Sequence, residues 1–278
     1  MQAEDETVLN TNQAALARLA SSIERVLVID PFPGSAKLAC DMLRSMGAWR
    51  IEQAETSKRA YEVADAFEPQ LVITEMTGPD VDGVLFLQKL RKSHMSCRQA
   101  PVIVVTSEAT EQTIKSARDA GAHEFLKKPF STADLLKRVE NVCLKPRPWI
   151  EAVHYIGPCR RRFNSANYAG PKRRDSDKAN AADSTYLGRV DQSLRILKSA
   201  IIQFNDDKLQ AIRSIQAQCD ALQALSATAK DPRMTYTVTS LINQVESAAR
   251  RGVKPTMPTD LYFDEVITAA HHMDRKSA

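Results

Sequence analysis

The sequence predicts an α/β fold with a five-stranded parallel sheet in its first half and an all-α region in its last third. Between residues 23 and 145, short apolar segments bounded by turn-forming residues alternate with stretches of helical periodicity, a pattern typical of strands joined by helices. Four of the apolar segments, 25–30, 71–76, 101–106 and 123–129, carry a polar side chain at or near their ends. Because the carboxyl ends of parallel strands share one edge of the sheet, we expect these side chains to form a single site.

The helices predicted between the strands each have a recognisable start, end or apolar face. The first contains Leu38 and stops at Gly47, and a weaker strand follows at 50–54. The second extends from Ser57, which can serve as its N-cap, to Phe67. Three more are predicted, around residues 85–90, at 110–120 before Gly121, and at 131–144 with Ser131 as the cap. Alternation of this kind predicts a sheet covered on both faces.

The last third, residues 185–278, shows helical periodicity throughout. Apolar residues recur at alternating intervals of four and three residues, and the same spacing resumes after an acidic pair. They form a narrow apolar seam that consists of Val190, Leu194, Leu197, Ile201, Phe204, Ile212, Ile215, Cys219 and Leu222. Further helices are predicted near 234–250 and 260–271. So narrow a seam usually packs against another helix. We therefore expect either self-association through residues 185–250, as in a coiled coil, or an internal helical bundle.

Composition limits the function classes. The chain has 278 residues and a net charge of +4, and no stretch approaches the roughly 20 apolar residues of a membrane span. An acidic N-terminus without an apolar run predicts no secretory signal, so we expect a cytoplasmic protein without membrane insertion. Five scattered cysteines predict neither disulfides nor a zinc site.

The polar strand ends carry Asp30, Glu75, Thr106 and Lys128, the last followed by Pro129. Their order and spacing resemble the receiver domain of two-component response regulators, which has an acid pair after the first strand, a phospho-accepting aspartate after the third, a hydroxyl after the fourth and Lys-Pro after the fifth. The loop residues Pro79, Asp82 and Gly83 also match, and Phe125 falls where the family keeps a rotating aromatic.

The resemblance implies a flavodoxin-like sheet over residues 23–145 and a protein partner in a signalling pathway. It does not imply an enzyme.

Two positions depart from the family pattern. Glu75 stands where the phospho-accepting aspartate is expected, and Pro31 replaces the second acid of the pair. The extra methylene of glutamate displaces the nucleophile by about 1 Å, which can cost on the order of a hundredfold in rate. The resemblance implies Mg²⁺, but Asp30 and Glu75 alone would hold it poorly, so no cofactor is expected.

The altered pocket allows three interpretations. Glu75, paired with Lys128, could imitate the phosphorylated state and draw Thr106 and Phe125 inward. The pocket could instead be vestigial, with the fold kept as a docking platform. Regulated phosphorylation of an atypical acceptor is the third alternative.

The whole charge excess lies in one segment, since residues 146–174 carry seven basic residues and one acidic residue. The segment contains a repeat of the form Tyr-x-Gly-Pro-x-Arg-Arg, at 155–161 and 168–174. Arginine beside an aromatic ring suits phosphate or carboxylate recognition. The candidate anion-binding residues are Tyr155, Arg160, Arg161, Tyr168, Arg173 and Arg174. A nucleotide, a nucleic-acid backbone or an acidic protein surface would fit; a solvated linker, or pairing with acids of the receiver-like domain, remains open.

These observations predict four regions: a flexible tail at 1–22, a receiver-like domain at 23–145, a basic linker at 146–184 and a helical interaction region at 185–278. The favoured function is a signalling adaptor of the response-regulator type with an unphosphorylated pocket. The alternatives are an anion, second-messenger or nucleic-acid effector acting through the repeat, and a phosphorylated response regulator with an atypical acceptor.

Overall fold

The structure is a computed structural model that describes residues 19–160, 186–230, 232–256 and 260–276. The chain divides into two units, one formed by Met1–Ile150 with Tyr155–Arg160 and the other by Glu151–His154 with Arg161–Ala278. None of the helices in the described ranges is long and apolar enough to cross a membrane.

The strands and helices of the first unit alternate along the chain as β1 Arg25–Ile29, α1 Pro33–Ser45, β2 Arg50–Ala54, α2 Ser57–Phe67, β3 Leu71–Glu75, α3 Gly83–Lys92, β6 Val102–Thr106, α4 Glu111–Asp119, β7 Glu124–Lys127 and α5 Thr132–Cys143. The five strands form a parallel sheet in the order β2-β1-β3-β6-β7, which confirms the predicted fold class. Two short strands, β4 Thr77–Gly78 and β5 Val81–Asp82, form a small hairpin after β3, and a 3-10 helix covers Ser96–Gln99.

Side chains of the central strands point alternately to two apolar cores. Val26 and Val28 of β1 pack with α1 and α5 on one face. Leu27 and Ile29 pack with α2, α3 and α4 on the other. Burial on both faces explains why the strands appear in the sequence as continuous apolar runs.

Two local details differ from the sequence-based expectations. The N-cap of α2 is Thr56, whose hydroxyl accepts a hydrogen bond from the Arg59 amide, and not Ser57. The Ser57 hydroxyl instead accepts from the Asp82 amide at 2.9 Å, so it ties α2 to the loop after β3. Leu19, assigned to a flexible tail, is fully buried in the same apolar core as α1 and α5.

A second hairpin follows α5, where the sequence suggested a linker. It consists of β8 Trp149–Ala152 and β9 Tyr155–Pro158. All four residues of β9 are buried. Gly157 approaches the backbone of Gly121, in the turn between α4 and β7, so closely that a Cβ added at Gly157 would lie 2.8 Å from the Gly121 Cα. Gly157 and Pro158 therefore belong to a buried strand and not to a linker turn.

The second unit contains four helices, α6 Tyr186–Ile202, α7 Lys208–Ala229, α8 Pro232–Arg250 and α9 Asp260–Lys276. Each helix packs against the next along the chain, and α9 closes the bundle by packing against α6. Asp207 caps α7 by accepting from the Gln210 amide, which explains the break after α6. The Ser214 hydroxyl of α7 donates to the Glu151 carbonyl at 2.7 Å, which holds residues 151–154 in this unit.

The predicted seam lies inside this bundle. Val190, Leu197, Ile201, Phe204 and Leu222 are fully buried against other helices of the same chain. The seam residues thus form the internal core of the bundle, which is the second of the two alternatives, while self-association through residues 185–250 stays a prediction.

The contact between the hairpin and Gly121 generates a stability prediction. We expect Gly157→Ala to lower the free energy of unfolding by about 1–3 kcal/mol, since the new methyl group overpacks the contact with Gly121. Gly34→Ala in α1 is the matched control: no atom lies within 4 Å of an added Cβ there, so this change should be neutral or stabilising. Urea denaturation followed by circular dichroism measures both. Equal effects of the two substitutions would contradict the close approach.

Candidate functional site

The polar residues at the strand ends meet at the carboxyl edge of the first unit's sheet. Asp30 follows β1, Glu75 ends β3, Thr106 ends β6 and Lys128 follows β7. Asp30 and Glu75 are each only 6% exposed. The parallel register of β1, β3, β6 and β7 produces this arrangement, because it places the last residues of these strands side by side.

The Lys128 ammonium group joins the two acids. Its Nζ donates to Asp30 Oδ2 at 3.0 Å, to Ser35 Oγ at 2.8 Å and to Glu75 Oε2. An ammonium group has three donors. All three are therefore used within the pocket, and the lysine is fixed between β1, α1 and β3.

Pro31 occupies the place of the missing second acid and contacts the loop after β3. A Cβ added at Gly78 would lie 2.5 Å from the Pro31 Cγ, so the ring packs directly against that glycine. Beside it, Asp30 Oδ1 accepts from the Phe32 amide at 2.9 Å. Both oxygens of Asp30 are thus engaged, and residue 31 contributes an apolar ring.

The loop after β3 fixes the backbone of Glu75. The Gly83 amide donates to the Met76 carbonyl, and a side chain at Gly83 would collide with the Glu75 carbonyl oxygen. Asp82 caps α3 by accepting from the Leu85 amide at 2.8 Å. The Asp82-Gly83 pair noted in the sequence therefore starts α3 and lets it begin directly against the end of β3.

Thr106 is turned toward the loop that follows β6. Its hydroxyl accepts from the Glu108 amide at 3.1 Å and contacts the Glu108 carbonyl at 3.4 Å. The hydroxyl is therefore engaged by local backbone. Phe125, next to it on β7, is half-buried.

The pocket holds two carboxyl groups and one ammonium group, and this imbalance affects the pKa values of Glu75 and Lys128. Burial raises the pKa of the Glu75 carboxyl and nearby Asp30 adds to the rise, although hydrogen bonding and charge from Lys128 act in the opposite direction. Burial lowers the pKa of Lys128, but the hydrogen bonds and charges of Glu75 and Asp30 outweigh it and leave that pKa raised. Because two carboxylates share one ammonium group, Lys128 stays charged, but its charge only partly offsets the effect of burial on Glu75.

The pocket does not fit the Mg²⁺ ion that the resemblance implies. Mg²⁺ requires oxygen ligands in octahedral array, whereas Asp30 and Glu75 both accept from Lys128 and the Pro31 side chain offers no oxygen. Within the described ranges, no cluster of three or more histidine, cysteine or acidic side chains is arranged to hold a metal ion.

The first copy of the repeat is described as far as Arg160, and it forms a contact within the first unit. The Arg160 guanidinium lies 4.3 Å from the centre of the Tyr155 ring and donates to Asp119 Oδ1 at 2.8 Å. The Tyr155 hydroxyl donates to the Pro158 carbonyl at 2.6 Å. Burial raises the pKa of Tyr155 to about 12, so the hydroxyl remains a donor.

Asp119 is the acid partner of this contact. Burial tends to raise its pKa, but hydrogen bonds and charges from Arg160 and Arg118 outweigh that effect and hold the pKa below its usual value. Of the anion-binding candidates, the structure thus brings Tyr155 and Arg160 together. Arg161, Tyr168, Arg173 and Arg174 lie outside the described residues.

Some residues of these contacts were not predicted from the sequence. Ser35, the third acceptor of Lys128, lies five residues after Asp30 in the first turn of α1, and only its position in the fold reveals its role. The role of Asp119 could have been predicted from its position, because an acidic side chain at the C-terminus of a helix interacts unfavourably with the helix dipole and requires a cation nearby. Arg147 donates to the His123 and Cys159 carbonyls and so holds the start of the hairpin.

Arg91 lies beneath the same hairpin and is almost fully buried. Its guanidinium is bound by backbone carbonyls rather than by a carboxylate. Its guanidinium donates to the carbonyls of Gly121, Arg98 and Ala100, and burial lowers its pKa to about 9. His123 Nδ1 accepts from the Val102 amide and faces Arg91. Burial, with the charges of Arg91 and Arg147, lowers the pKa of His123 to about 2, so it is a neutral structural residue.

Comparison with known proteins agrees with this architecture. The model of the response regulator receiver domain family matches residues 26–140. The transcriptional regulatory protein PdtaR of Mycobacterium tuberculosis is 35% identical over 100 residues, which cover 36% of this chain and 47% of that protein. The chain thus matches about half the length of that relative.

Two chemotaxis proteins of Vibrio cholerae are also similar. CheY-3 is 23% identical over 137 residues, which cover 49% of this chain and 96% of CheY-3. The crystal structure of CheY4 covers 43% of this chain and 98% of its own, with 22% identity and a TM-score of 0.41. On the family match and the sheet order together, residues 26–140 of this chain are a receiver domain of the response regulator family.

Proposed function

We propose that this protein is a signalling adaptor of the response-regulator type whose receiver pocket is held in one state and is not phosphorylated at Glu75. The observation that carries the proposal is the contact of the Lys128 ammonium group with Glu75, Asp30 and Ser35. A phosphoryl-accepting carboxylate must be free to attack, and here the carboxylate accepts a hydrogen bond from a lysine that has no donor left.

The replacement of the second acid by Pro31 supports the same proposal. Acyl phosphate formation requires cationic stabilisation of the phosphoryl oxygens, and divalent metals supply it in phosphoryl transfer. The ring of Pro31 packs on Gly78 where a further oxygen ligand would be needed. The pocket thus lacks both the shorter nucleophile and the second acid.

The position of Thr106 favours a fixed docking platform over permanent imitation of the phosphorylated state. Imitation would require the hydroxyl to turn toward the Glu75 carboxylate, whereas it is engaged by the Glu108 backbone. Phe125 is only half-buried, which does not fit a ring that is turned inward and held in the core. On this proposal, the outer surface of the domain carries the signal to a protein partner in the cytoplasm, and the pocket stabilises the fold.

The described part of the repeat argues against an anion-binding effector. A ligand site would leave the arginine available, but Arg160 is paired with Asp119 and stacked on Tyr155, which is only 8% exposed. The described part of the first repeat, Tyr155 to Arg160, thus makes its contacts within its own unit. This arrangement matches the alternative in which the arginines pair with acids of the receiver domain.

The phosphorylation state of the pocket can be tested directly. With acetyl phosphate and Mg²⁺, we expect the unmodified protein to take up no covalent phosphate on a Phos-tag gel or by intact mass. Glu75→Asp alone should gain little, because residue 31 still offers no side-chain carboxylate. Pro31→Asp combined with Glu75→Asp should be labelled roughly a hundredfold faster than either single variant, since both missing groups return. Robust labelling of the unmodified protein would disprove the proposal.

The raised pKa of Glu75 predicts a pH dependence of stability. The folded state favours the protonated carboxyl, so the stability that Glu75 contributes is fully present below its unfolded pKa near 4.5 and is lost as the pH rises through the folded value. The unfolding free energy of the unmodified protein, minus that of Glu75→Gln, should therefore fall between pH 4 and pH 7. Urea denaturation at several pH values measures the difference. A difference that rises with pH would mean that pairing with Lys128 outweighs burial.

A further inference from the structure

The strand β2 forms one edge of the sheet in the first unit. It pairs with β1 on one side, and within the described ranges no strand pairs with its outer side. Edge strands present backbone groups that can pair with another strand, and natural proteins often protect them with proline, lysine or a bulge. The five residues of β2 include neither proline nor lysine, and their register with β1 is uninterrupted. This edge is therefore open to a further strand.

The hydrogen bonds to β1 show which backbone groups of β2 point outward. The Arg50 amide donates to the Glu24 carbonyl at 2.8 Å, so the backbone of Arg50 faces β1. Backbone groups of successive residues along a strand point to opposite sides, so those of Ile51 and Gln53 point away from β1. Each of these two residues thus offers one donor and one acceptor along the outer side.

The same strand carries two opposite charges. Arg50 and Glu52 are both exposed, and because they are two residues apart their side chains lie on the same face of β2. The Arg50 guanidinium lies 5.3 Å from the centre of the Phe67 ring. Among the described residues, no carboxylate pairs with Arg50 and no cation pairs with Glu52. Both charges are therefore available to a strand that adds to this edge.

Antiparallel pairing with a second copy of β2 matches these charges in one register. With a two-fold axis at Ile51, the two Ile51 residues exchange backbone hydrogen bonds, and Arg50 of each copy lies directly opposite Glu52 of the other. Opposite charges in facing positions stabilise a pair of strands, and like charges destabilise it. An axis at Arg50 would instead bring two arginines face to face, and an axis at Glu52 would do the same with two glutamates.

Trp49 adds an apolar side chain to the same edge. It directly precedes β2 and is 81% exposed. In the register with the axis at Ile51, Trp49 lies opposite Gln53 of the second copy, where it would lose contact with water. Tryptophan is among the residues that contribute most when they are buried in an interface. The charges thus select the register, and the two tryptophans supply apolar area.

We propose that β2 is the interface of a two-fold symmetric dimer in which two copies of this chain pair antiparallel, edge to edge. A second copy is the occupant that the strand selects, because β2 is complementary in charge to itself. One pair of short strands buries a small area, so the dimer is weak. The inference depends neither on the state of the Glu75 pocket nor on residues 185–250, so each of those proposals can fail without it.

Charge reversal in the full chain tests the register. We expect a concentration-dependent dimer of the unmodified protein in sedimentation velocity. Arg50→Glu or Glu52→Arg alone puts like charges at both facing positions, so each variant should dimerise roughly tenfold more weakly. A mixture of the two variants should form a heterodimer, because every facing pair then has opposite charges. The double variant, with both changes in one chain, should regain dimerisation for the same reason.

A proline at position 53 tests the backbone pairing. The Gln53 amide points away from β1, so Gln53→Pro removes an outward donor and keeps the hydrogen bonds to β1. We expect this variant to be monomeric, with a circular dichroism spectrum like that of the unmodified protein. Gln53→Ala is the matched control, since it keeps the amide and should leave the dimer largely intact.

The combined results distinguish this edge from other routes of self-association. A dimer that resists both charge reversals and Gln53→Pro would show that the copies associate elsewhere, for example through residues 185–250, and would overturn the inference. A chain that remains monomeric at every accessible concentration, and whose two charge variants do not associate when mixed, would overturn it as well.

Discussion

The hydrogen bonds of the Lys128 ammonium group are the constraint on which the receiver pocket depends. One cation compensates two nearly buried carboxylates and a serine hydroxyl. A buried carboxylate without a cation is costly, so the lysine keeps the ends of β1 and β3 together with the start of α1. The same bonds that stabilise this edge of the sheet occupy the groups that phosphoryl chemistry would need.

The two departures from the family pattern act together. The longer Glu75 side chain reaches the lysine, and the Pro31 ring fills space beside Gly78 with apolar contact in place of a metal ligand. Either change alone would leave part of the chemistry intact. On the proposal made above, the two changes together leave the pocket with a structural role, and the outer surface of the domain carries the signal.

The sequence predicted the elements well because their signals are local. Continuous apolar runs identified the strands, and the order of Asp30, Thr106 and Lys128 identified the fold. Contacts between distant residues were missed: proline and glycine in 149–158 suggested a linker, whereas the burial of Gly157 depends on Gly121, far away in the sequence. The helical seam could not distinguish an internal bundle from a dimer, since both bury the same spacing. Ser35 was missed for the same reason, since only the folded chain brings it to Lys128.

The most direct test of a fixed pocket is its response to beryllofluoride, a phosphoryl analogue, in backbone ¹⁵N NMR spectra. With Mg²⁺ and beryllofluoride added to the full chain, we expect unchanged amide resonances at Asp30, Thr106, Phe125 and Lys128, because the lysine and both carboxylates are already engaged. Saturable shifts at these four residues would show that the pocket accepts a phosphoryl group and would contradict a fixed pocket.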